Sequence, residues 1–250
     1  MEKKFSRQDN KVVVISGGAG YLGNFIVKKL AKSGFTIVVI GRSGKKNNAD
    51  FINNNVVHYI KADITNESAI WKAAEEVKKK FETVFAIIHA TSGRIIRRSV
   101  LELSYGEFKS QFGVNVFGAF NLFKNFYSII SDDGVVIGIT SRAIDIGVPP
   151  SSSGSYIPAK YGLKGLLRVL SAELKKRSIR VYAVAPAFMQ GGLNDDIPKS
   201  VTEFIRKKSQ PGEITEPGDV ADLILSLLNK EVDIESGKSI AVPTRVISDL

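Results

Sequence analysis

The chain has 250 residues, 44% of them hydrophobic and 24% charged, enough to bury a substantial core without disulfides or metals. It contains no cysteine, which excludes disulfides, thiol nucleophiles and cysteine-ligated metal sites. Its net charge of +10 is spread over small groups such as Lys78–Lys80, Arg97-Arg98 and Lys175–Arg177, and no nucleic-acid-binding motif accompanies them. Met1–Asn10 is polar, without the apolar segment of a signal peptide, and no apolar run approaches the ~18 residues of a membrane span. The expectation is a cytoplasmic protein with a polar tail over residues 1–10 and one domain over 11–250. Neither nucleic acid nor membrane is expected as a partner.

Val12–Ser16 is an almost unbroken β-branched run ending in glycines, the pattern of a strand buried on both faces. Tyr21–Lys32 reads as an amphipathic helix closed by Ser33-Gly34. Thr36–Ile40 and Asn55–Ala62 are the next two strands. Ser68–Phe81 is a helix capped by Asn66 or Thr65, with Trp71 on its apolar face and assigned to the core. Thr83–Ala90 is a fourth strand. From about Leu103 to Ile130 a long helix carries Phe108, Phe112, Val116, Phe120, Phe123 and Tyr127 at helical spacing, a stripe that fits a core or a subunit interface. Val135–Ser141 is a fifth strand, Tyr156–Lys176 a helix, Arg180–Ala185 a sixth strand, Asp219–Leu228 a late helix and Lys238–Val242 a last strand. Between them lie two notable loops, the Pro- and Ser-rich Gly147–Ser155 and the polar Ala187–Pro198. This alternation predicts an α/β fold: a doubly wound (Rossmann) parallel sheet with helices on both faces, in one domain.

The first strand runs into Ser16-Gly17-Gly18-Ala19-Gly20-Tyr21-Leu22-Gly23, which opens the first helix. Glycines in such a strand–turn–helix allow a tight turn and let a pyrophosphate approach the helix N-terminus. Gly17, Gly20, Tyr21, Leu22 and Gly23 are therefore candidate cofactor contacts. An NAD site usually places an acid at the end of the second strand to hold the ribose 2′-hydroxyl. Here Gly41 stands in that region and the nearest downstream acid is Asp50, whereas Arg42 and Ser43 offer a guanidinium and a hydroxyl for a 2′-phosphate. NADP(H) is therefore favoured over NAD(H). Asp63, followed by Ile64 after the third strand, is placed to meet an adenine edge.

Tyr156 and Lys160 are spaced four apart at the start of a long apolar-periodic segment and share one helix face. An ammonium fixed there would lower the proton affinity of the phenol, giving a tyrosine that donates and accepts protons near neutrality. Tyr105 and Lys109 repeat the spacing, but only Tyr156 follows the nucleotide-type turn, an Asn and a strand running to Ser141. His58 and His89 have no partner at metal-ligand spacing, so no metal is expected.

Together these residues resemble the short-chain dehydrogenase/reductase family in its compact single-domain form, over roughly Lys11 to Val242. The family's order matches here at Gly17–Gly23, Asp63, Asn115, Ser141, Tyr156 and Lys160. The segments Ile179–Pro186 and Glu216–Ala221 resemble the strand before the nicotinamide-side loop and the start of the penultimate helix. The resemblance implies that Tyr156 is the general acid/base and that Ser141 stabilises charge on the carbonyl oxygen. It further implies that Lys160 bonds the nicotinamide ribose, while Asn115 holds a water leading from Lys160 to solvent. Ala90, Pro186 and Phe188 would meet the nicotinamide end of the cofactor. The order also makes Tyr105 an exposed or interfacial residue. The implied activity is hydride transfer between NADP(H) and a ketone or secondary alcohol, free or bound to a carrier protein, in a homodimer or homotetramer.

Several residues depart from the family's pattern. Tyr21 replaces a glycine, giving the Gly-x-x-Gly-x-x-Gly spacing of the longer epimerase-like branch, and a sugar-nucleotide epimerase or dehydratase is one alternative. Ile88-His89-Ala90-Thr91 replaces the usual Asn-Asn-Ala-Gly, with His89 either lining the cleft or packed at the strand end. The Ser141–Tyr156 interval is longer than usual, and Ser151, Ser152 and Ser153 are weaker substitutes for Ser141. After Pro186 stands Ala187, and Gly191 takes the place of a nicotinamide-binding Thr, with Gln190 as its substitute. These changes motivate a further alternative, a non-catalytic nucleotide-binding regulatory protein of the same fold. Phe188, Met189 and Leu193 suggest an apolar lid, and Arg94, Arg97 and Arg98 an attraction for acidic groups.

Overall fold

The computed structural model describes residues 11–43, 56–145, 152–209, 213–243 and 245–249. The tail Met1–Asn10, Asp50 and residues 147–151 of the Pro- and Ser-rich loop, Ser151 included, lie outside the described residues.

One sheet of eight strands organises the chain: β1 (Val12–Ser16), β2 (Thr36–Gly41), β3 (Val57–Lys61), β4 (Val84–His89), β5 (Ile130–Ile139), β6 (Arg180–Pro186), β7 (Lys238–Val242) and β8 (Arg245–Asp249). The spatial order is β3-β2-β1-β4-β5-β6-β7-β8. Strands β1 to β7 pair in parallel and β8 is antiparallel to β7. Such a sheet must be covered on both faces, and the core divides accordingly. On one face α1 (Tyr21–Lys32) packs against α7 (Pro217–Asn229) over Val13, Ile15, Ile37 and Val39. On the other, α2 (Glu67–Phe81), α4 (Gly118–Phe126) and α5 (Tyr156–Glu173) cover Val12, Val14, Val38 and Ile87. The predicted doubly wound architecture is the one observed. Among the described residues no helix is long and apolar enough to cross a membrane.

The strand order reverses direction between β1 and β4. Ligands bind at this switch point in open α/β sheets, outside the carboxyl ends of the strands. It is also where the Gly-rich turn after β1 meets the end of β4.

Some expected elements are corrected. Strand β5 begins at Ile130, not Val135, and ends two residues before Ser141, at Ile139. Asp132-Asp133-Gly134 looks like a turn, yet the strand runs through it by a register shift, pairing Ile130 with Val84 and Val135 with Ala86. The long helix is three pieces: α3 (Tyr105–Phe112), a π turn over Gly113–Phe117, and α4. The wider turn rotates α4 relative to α3, so the aromatic stripe splits. Phe123 is buried, whereas Phe120 and Tyr127 are exposed. Trp71 is 54% exposed, not core. The buried face of α2 is Ile70, Ala73, Ala74 and Val77, and the residue after Ile70 points about 100° away from it. Of the two candidate caps for α2, Asn66 accepts from Ala69 N–H at 3.0 Å. Two elements were not anticipated: β8, and α6 (Lys199–Lys208), a charged helix that buries only Thr202.

Candidate active site

The turn after β1 forms one wall of a cleft of about 660 Å³. Gly17 holds φ +76°, and a Cβ there would stand 2.8 Å from Thr91 N, so only glycine lets the turn close against the end of β4. A side chain at Gly23 would overlap Gly17 O. Helix α1 opens at Gly20 with no capping side chain and no acidic residue in its first turn. Its terminal N–H groups are thus suited to an anion, and the glycine cradle and helix end fit a dinucleotide diphosphate. Gly20, Tyr21, Leu22 and Ala90, all candidate cofactor contacts, line the same cleft.

The facing wall carries Ser141, Tyr156 and Lys160. Tyr156 is the first residue of α5, and Lys160, one turn on, places Nζ 5.6 Å from the Tyr156 ring centroid. Lys160 is buried and its ammonium donates to Ile139 O, at the end of β5, at 2.7 Å. Burial pulls its pKa down to about 7. Burial acts on Tyr156 in the opposite sense, raising the phenol, and the polar Ser141 side chain beside it draws it partly back. The expected lowering of Tyr156 by Lys160 is therefore not found. The lysine is spent on a backbone carbonyl, and its own charge is weakened by the same burial.

Ser141 stands on the same cleft wall as Tyr156, and α5 grips the turn that comes after it. Ser141 Oγ accepts from Ala143 N–H at 3.2 Å, capping a short turn over Arg142–Ile144. Tyr161 donates its hydroxyl to Ile144 O, and Lys164 pairs with Asp145 at 2.7 Å in a largely buried bridge. Despite the longer interval between them, Ser141 and Tyr156 both line the cleft. Of the substitutes, Ser153 lines the cleft and Ser152 is exposed.

Asn115 is buried behind this wall, inside the π turn. Its Oδ1 accepts from Ser92 Oγ at 3.0 Å, and its Nδ2 donates to Gln111 O at 3.0 Å and to Gln111 Oε1 at 3.1 Å. Ser92 lines the cleft, so Asn115 is linked to it at one remove. Ser92 and Gln111 were not anticipated: Ser92 meets Asn115 only across the fold, whereas Gln111 stands one helical turn before it, a spacing that could have marked it. His89 is packed at the strand end and does not line the cleft: it is fully buried, shares a hydrogen bond with Ser16 Oγ at 3.0 Å and meets Phe123 edge-on. Burial, with the Lys160 charge beside it, pushes its pKa down to about 3.

The third side is the segment after β6. Pro186, Phe188, Met189 and Leu193 line the cleft, while Gln190 is exposed and does not. Thr215, on the segment leading to α7, anchors this loop: Ala187 N–H donates to its hydroxyl at 2.9 Å, and its own N–H donates to Phe188 O at 2.9 Å. Four predicted cofactor residues stand off the cleft wall. Arg42 and Ser43 are exposed after β2. Asp63 accepts from Thr65 N–H at 2.9 Å and Thr65 Oγ1 at 2.8 Å, which lowers its pKa, with the Arg42 charge adding to the effect. Ile64 is buried in the core, its carbonyl accepting from Asn121 at 3.0 Å. Tyr105 is 81% exposed, far from any role in the cleft.

A sequence profile described as enoyl-(acyl carrier protein) reductase matches residues 18–243. The chain belongs to the short-chain dehydrogenase/reductase family. It is accordingly an oxidoreductase whose family uses a nicotinamide cofactor. Among its relatives, the 3-oxoacyl-[acyl-carrier-protein] reductase of Thermotoga maritima is 25% identical, over 94% of this chain and 97% of the relative. The (S)-acetoin-forming diacetyl reductase of Staphylococcus aureus is 26% identical, over 94% and 96%. A solved short-chain dehydrogenase/reductase from Serratia marcescens shares the fold, with a TM-score of 0.82 at 22% identity over 94% of this chain and 96% of that one.

Proposed function

We propose that this protein is an NADP(H)-dependent dehydrogenase or reductase of ketones and secondary alcohols, with Tyr156 as its general acid and base. The observation that carries the reading is the meeting of Ser141 and Tyr156 on one wall of the cleft, with the Lys160 ammonium buried behind them, 5.6 Å from the Tyr156 ring centroid. The nicotinamide supplies or accepts the hydride. Tyr156 hands its proton to the substrate oxygen, or takes one back in the oxidative direction, and Ser141 donates a hydrogen bond to that oxygen. Lys160 holds the nicotinamide ribose, and Asn115, with Ser92 and Gln111 fixing its amide, positions the water that resupplies the proton. Gly17, Gly20, Tyr21, Leu22 and Gly23 cradle the diphosphate. Asp63 and Ile64 border the adenine, Arg42 and Ser43 take the 2′-phosphate, and Ala90, Pro186 and Phe188 border the nicotinamide. The names of the relatives support a small carbonyl substrate, free or on an acyl carrier.

The exposed Phe117, Phe120 and Tyr161, on the π turn, α4 and α5, support assembly into a homodimer or homotetramer. A monomeric mass in solution would remove that part of the reading.

The decisive experiment is a panel of ketones and alcohols assayed with NADPH and with NADH. Turnover with NADPH in preference to NADH is expected. Tight cofactor binding without turnover across the panel would favour a regulatory nucleotide-binding protein, and redox-neutral conversion with the cofactor retained an epimerase or dehydratase.

A further inference from the structure

We infer that the substrate end of the cleft selects a neutral ketone with an apolar substituent, and that Asp196 enforces this choice by occupying Arg97. The inference rests on the reading of Tyr156 and Ser141 as the reacting end, and it concerns what lies beyond them.

Past Ser141 and Tyr156 the wall is built by Ile95, Ala143, Met189, Leu193, Ile197 and Ile205. These come from four separate segments: the loops after β4, β5 and β6, and helix α6. A carboxylate or phosphate brought against such a surface sheds water and gains no hydrogen bond in return. An alkyl or aryl group gains by the same burial.

Among the described residues lining this region, the group placed to grip an anion opposite the loop after β6 is the Arg97 guanidinium, and it is already engaged. Its Nε donates to Asp196 Oδ2 at 3.0 Å and its Nη2 to Asp196 Oδ1 at 3.0 Å, a two-pronged pair. Nη2 also donates to Asn194 Oδ1 at 2.9 Å, and Asn194 is itself fixed by donating to Met189 O at 2.8 Å. The pair is partly sheltered, with 32% of the Arg97 and 27% of the Asp196 side chain exposed. The hydrogen bonds from Arg97 hold the Asp196 carboxyl below its usual range, so it stays ionised at neutral pH. The fork that would grip a ligand carboxylate is thus turned to a carboxylate of the protein. An incoming anion must displace Asp196 and also face its charge. Among the other charged residues on the wall, Lys160 is buried behind Tyr156 and donates to Ile139 O, and Arg142 and Glu213 each have an interaction of their own. Arg97 lies in the loop after β4 and Asp196 in the loop after β6, so the same pair ties together two sides of the cleft mouth.

The test compares ligands of equal length that differ in one terminal charge: 2-heptanone with 6-oxoheptanoate, and 2-nonanone with 8-oxononanoate. Each is titrated calorimetrically into the full chain, alone and saturated with NADP+. The wild type is expected to bind each ketone at least about tenfold tighter than its keto acid. Asp196→Asn, which removes the charge and keeps the shape, should raise the ratio of keto-acid to ketone affinity by about tenfold. Adding Arg97→Gln to Asp196→Asn should return the ratio to its wild-type value. The inference is overturned if the wild type prefers the keto acids, if neither ketone binds, or if Asp196→Asn leaves the ratio unchanged in a protein with a native circular dichroism spectrum. The wild-type ratios alone decide the outcome if the variant does not fold. Binding as expected with no reduction of either ketone by NADPH would remove the role of Tyr156 and leave this selectivity standing. Preferential reduction of the keto acids would do the reverse.

Discussion

The ring of Tyr21 lies directly against Gly191, so closely that a Cβ on Gly191 would stand 2.9 Å from Tyr21 Cζ. Tyr21 opens α1 on the Gly-rich turn and Gly191 lies in the loop after β6, so this contact joins the two sides of the cofactor end of the cleft. Gly191 has φ +97° and ψ 177°, a conformation open essentially to glycine alone. The tyrosine that breaks the compact family's glycine spacing and the glycine that replaces its loop threonine are therefore packed on one another.

Gly191→Ala is expected to destabilise the protein by roughly 1–3 kcal/mol, from backbone strain and from the clash with Tyr21. Introducing Tyr21→Gly into that variant should recover the part due to the clash and leave the backbone part. Thermal unfolding of the four proteins of this double-mutant cycle measures the difference. Equal costs for Gly191→Ala with and without Tyr21 would show that the ring does not constrain the loop.

Tyr156→Phe should abolish turnover while NADPH still binds, since the hydroxyl is lost and the ring remains on the cleft wall. Ser141→Ala keeps the proton donor and should lower kcat by about a hundredfold to a thousandfold, the usual effect of losing one donor to a developing oxyanion. Steady-state rates together with NADPH fluorescence titrations separate the two effects. Retained activity in Tyr156→Phe would move the proton donor elsewhere.

The local signals were the legible ones. Gly17 follows a β-branched run and Gly23 lies in the first turn of the amphipathic one, and a side chain at either would collide with backbone. Helical spacing put Tyr156 and Lys160 on one face of α5, and only their order after the Gly-rich turn, Asn115 and Ser141 told them from Tyr105 and Lys109. Periodicity does not reveal which faces other elements cover, and so Trp71 and Phe120 were assigned inward or to a shared stripe when both are exposed. The π turn at Asn115 changes the phase of the helix without an obvious mark in composition. Ion pairs such as Arg97–Asp196, or the grip of Lys164 on Asp145, join loops through the third dimension, and no spacing rule reaches them. The same limit applies to the pKa of Tyr156: the sequence places a lysine one turn away, while only the fold shows that its ammonium is bound to Ile139 O.

His89 makes the stability of the fold sensitive to acid. Its folded pKa of about 3 lies below the ordinary value of 6.5, so between these limits the unfolded chain binds a proton that the folded chain does not. The contribution of His89 is complete above about pH 6.5 and is lost as pH falls toward 3, at up to ~1.4 kcal/mol per pH unit. His89→Asn removes the titrating group, and its side chain can still meet Ser16. Unfolding free energies from denaturant titrations at pH 7.5, 6 and 5 should fall less steeply in the variant than in the wild type. Parallel slopes would mean that the imidazole takes up its proton without opening the fold.

Arg42 tests the cofactor preference. It stands exposed after β2, and its charge helps hold Asp63 ionised, so the guanidinium and that carboxylate lie near one another at the ends of adjacent strands. Asp63, an ionised acceptor already holding the N–H and hydroxyl of Thr65, has no donor for a phosphate, whereas Arg42 carries a charged fork of them. NADPH and NADH differ by that phosphate alone. Arg42→Ala should therefore weaken NADPH by about tenfold to a hundredfold, the range of one hydrogen-bonded charge pair, and change NADH by less than about threefold. Because the pair is exposed, added salt should weaken NADPH more than NADH in the wild type, and this difference should vanish in Arg42→Ala. Equal losses for the two cofactors, or a salt effect that survives the substitution, would assign recognition of the phosphate to another residue, with Ser43 the next to replace. A selective loss of NADPH would tie the preference to a guanidinium that stands off the cleft wall, reaching the cofactor from the rim of the sheet.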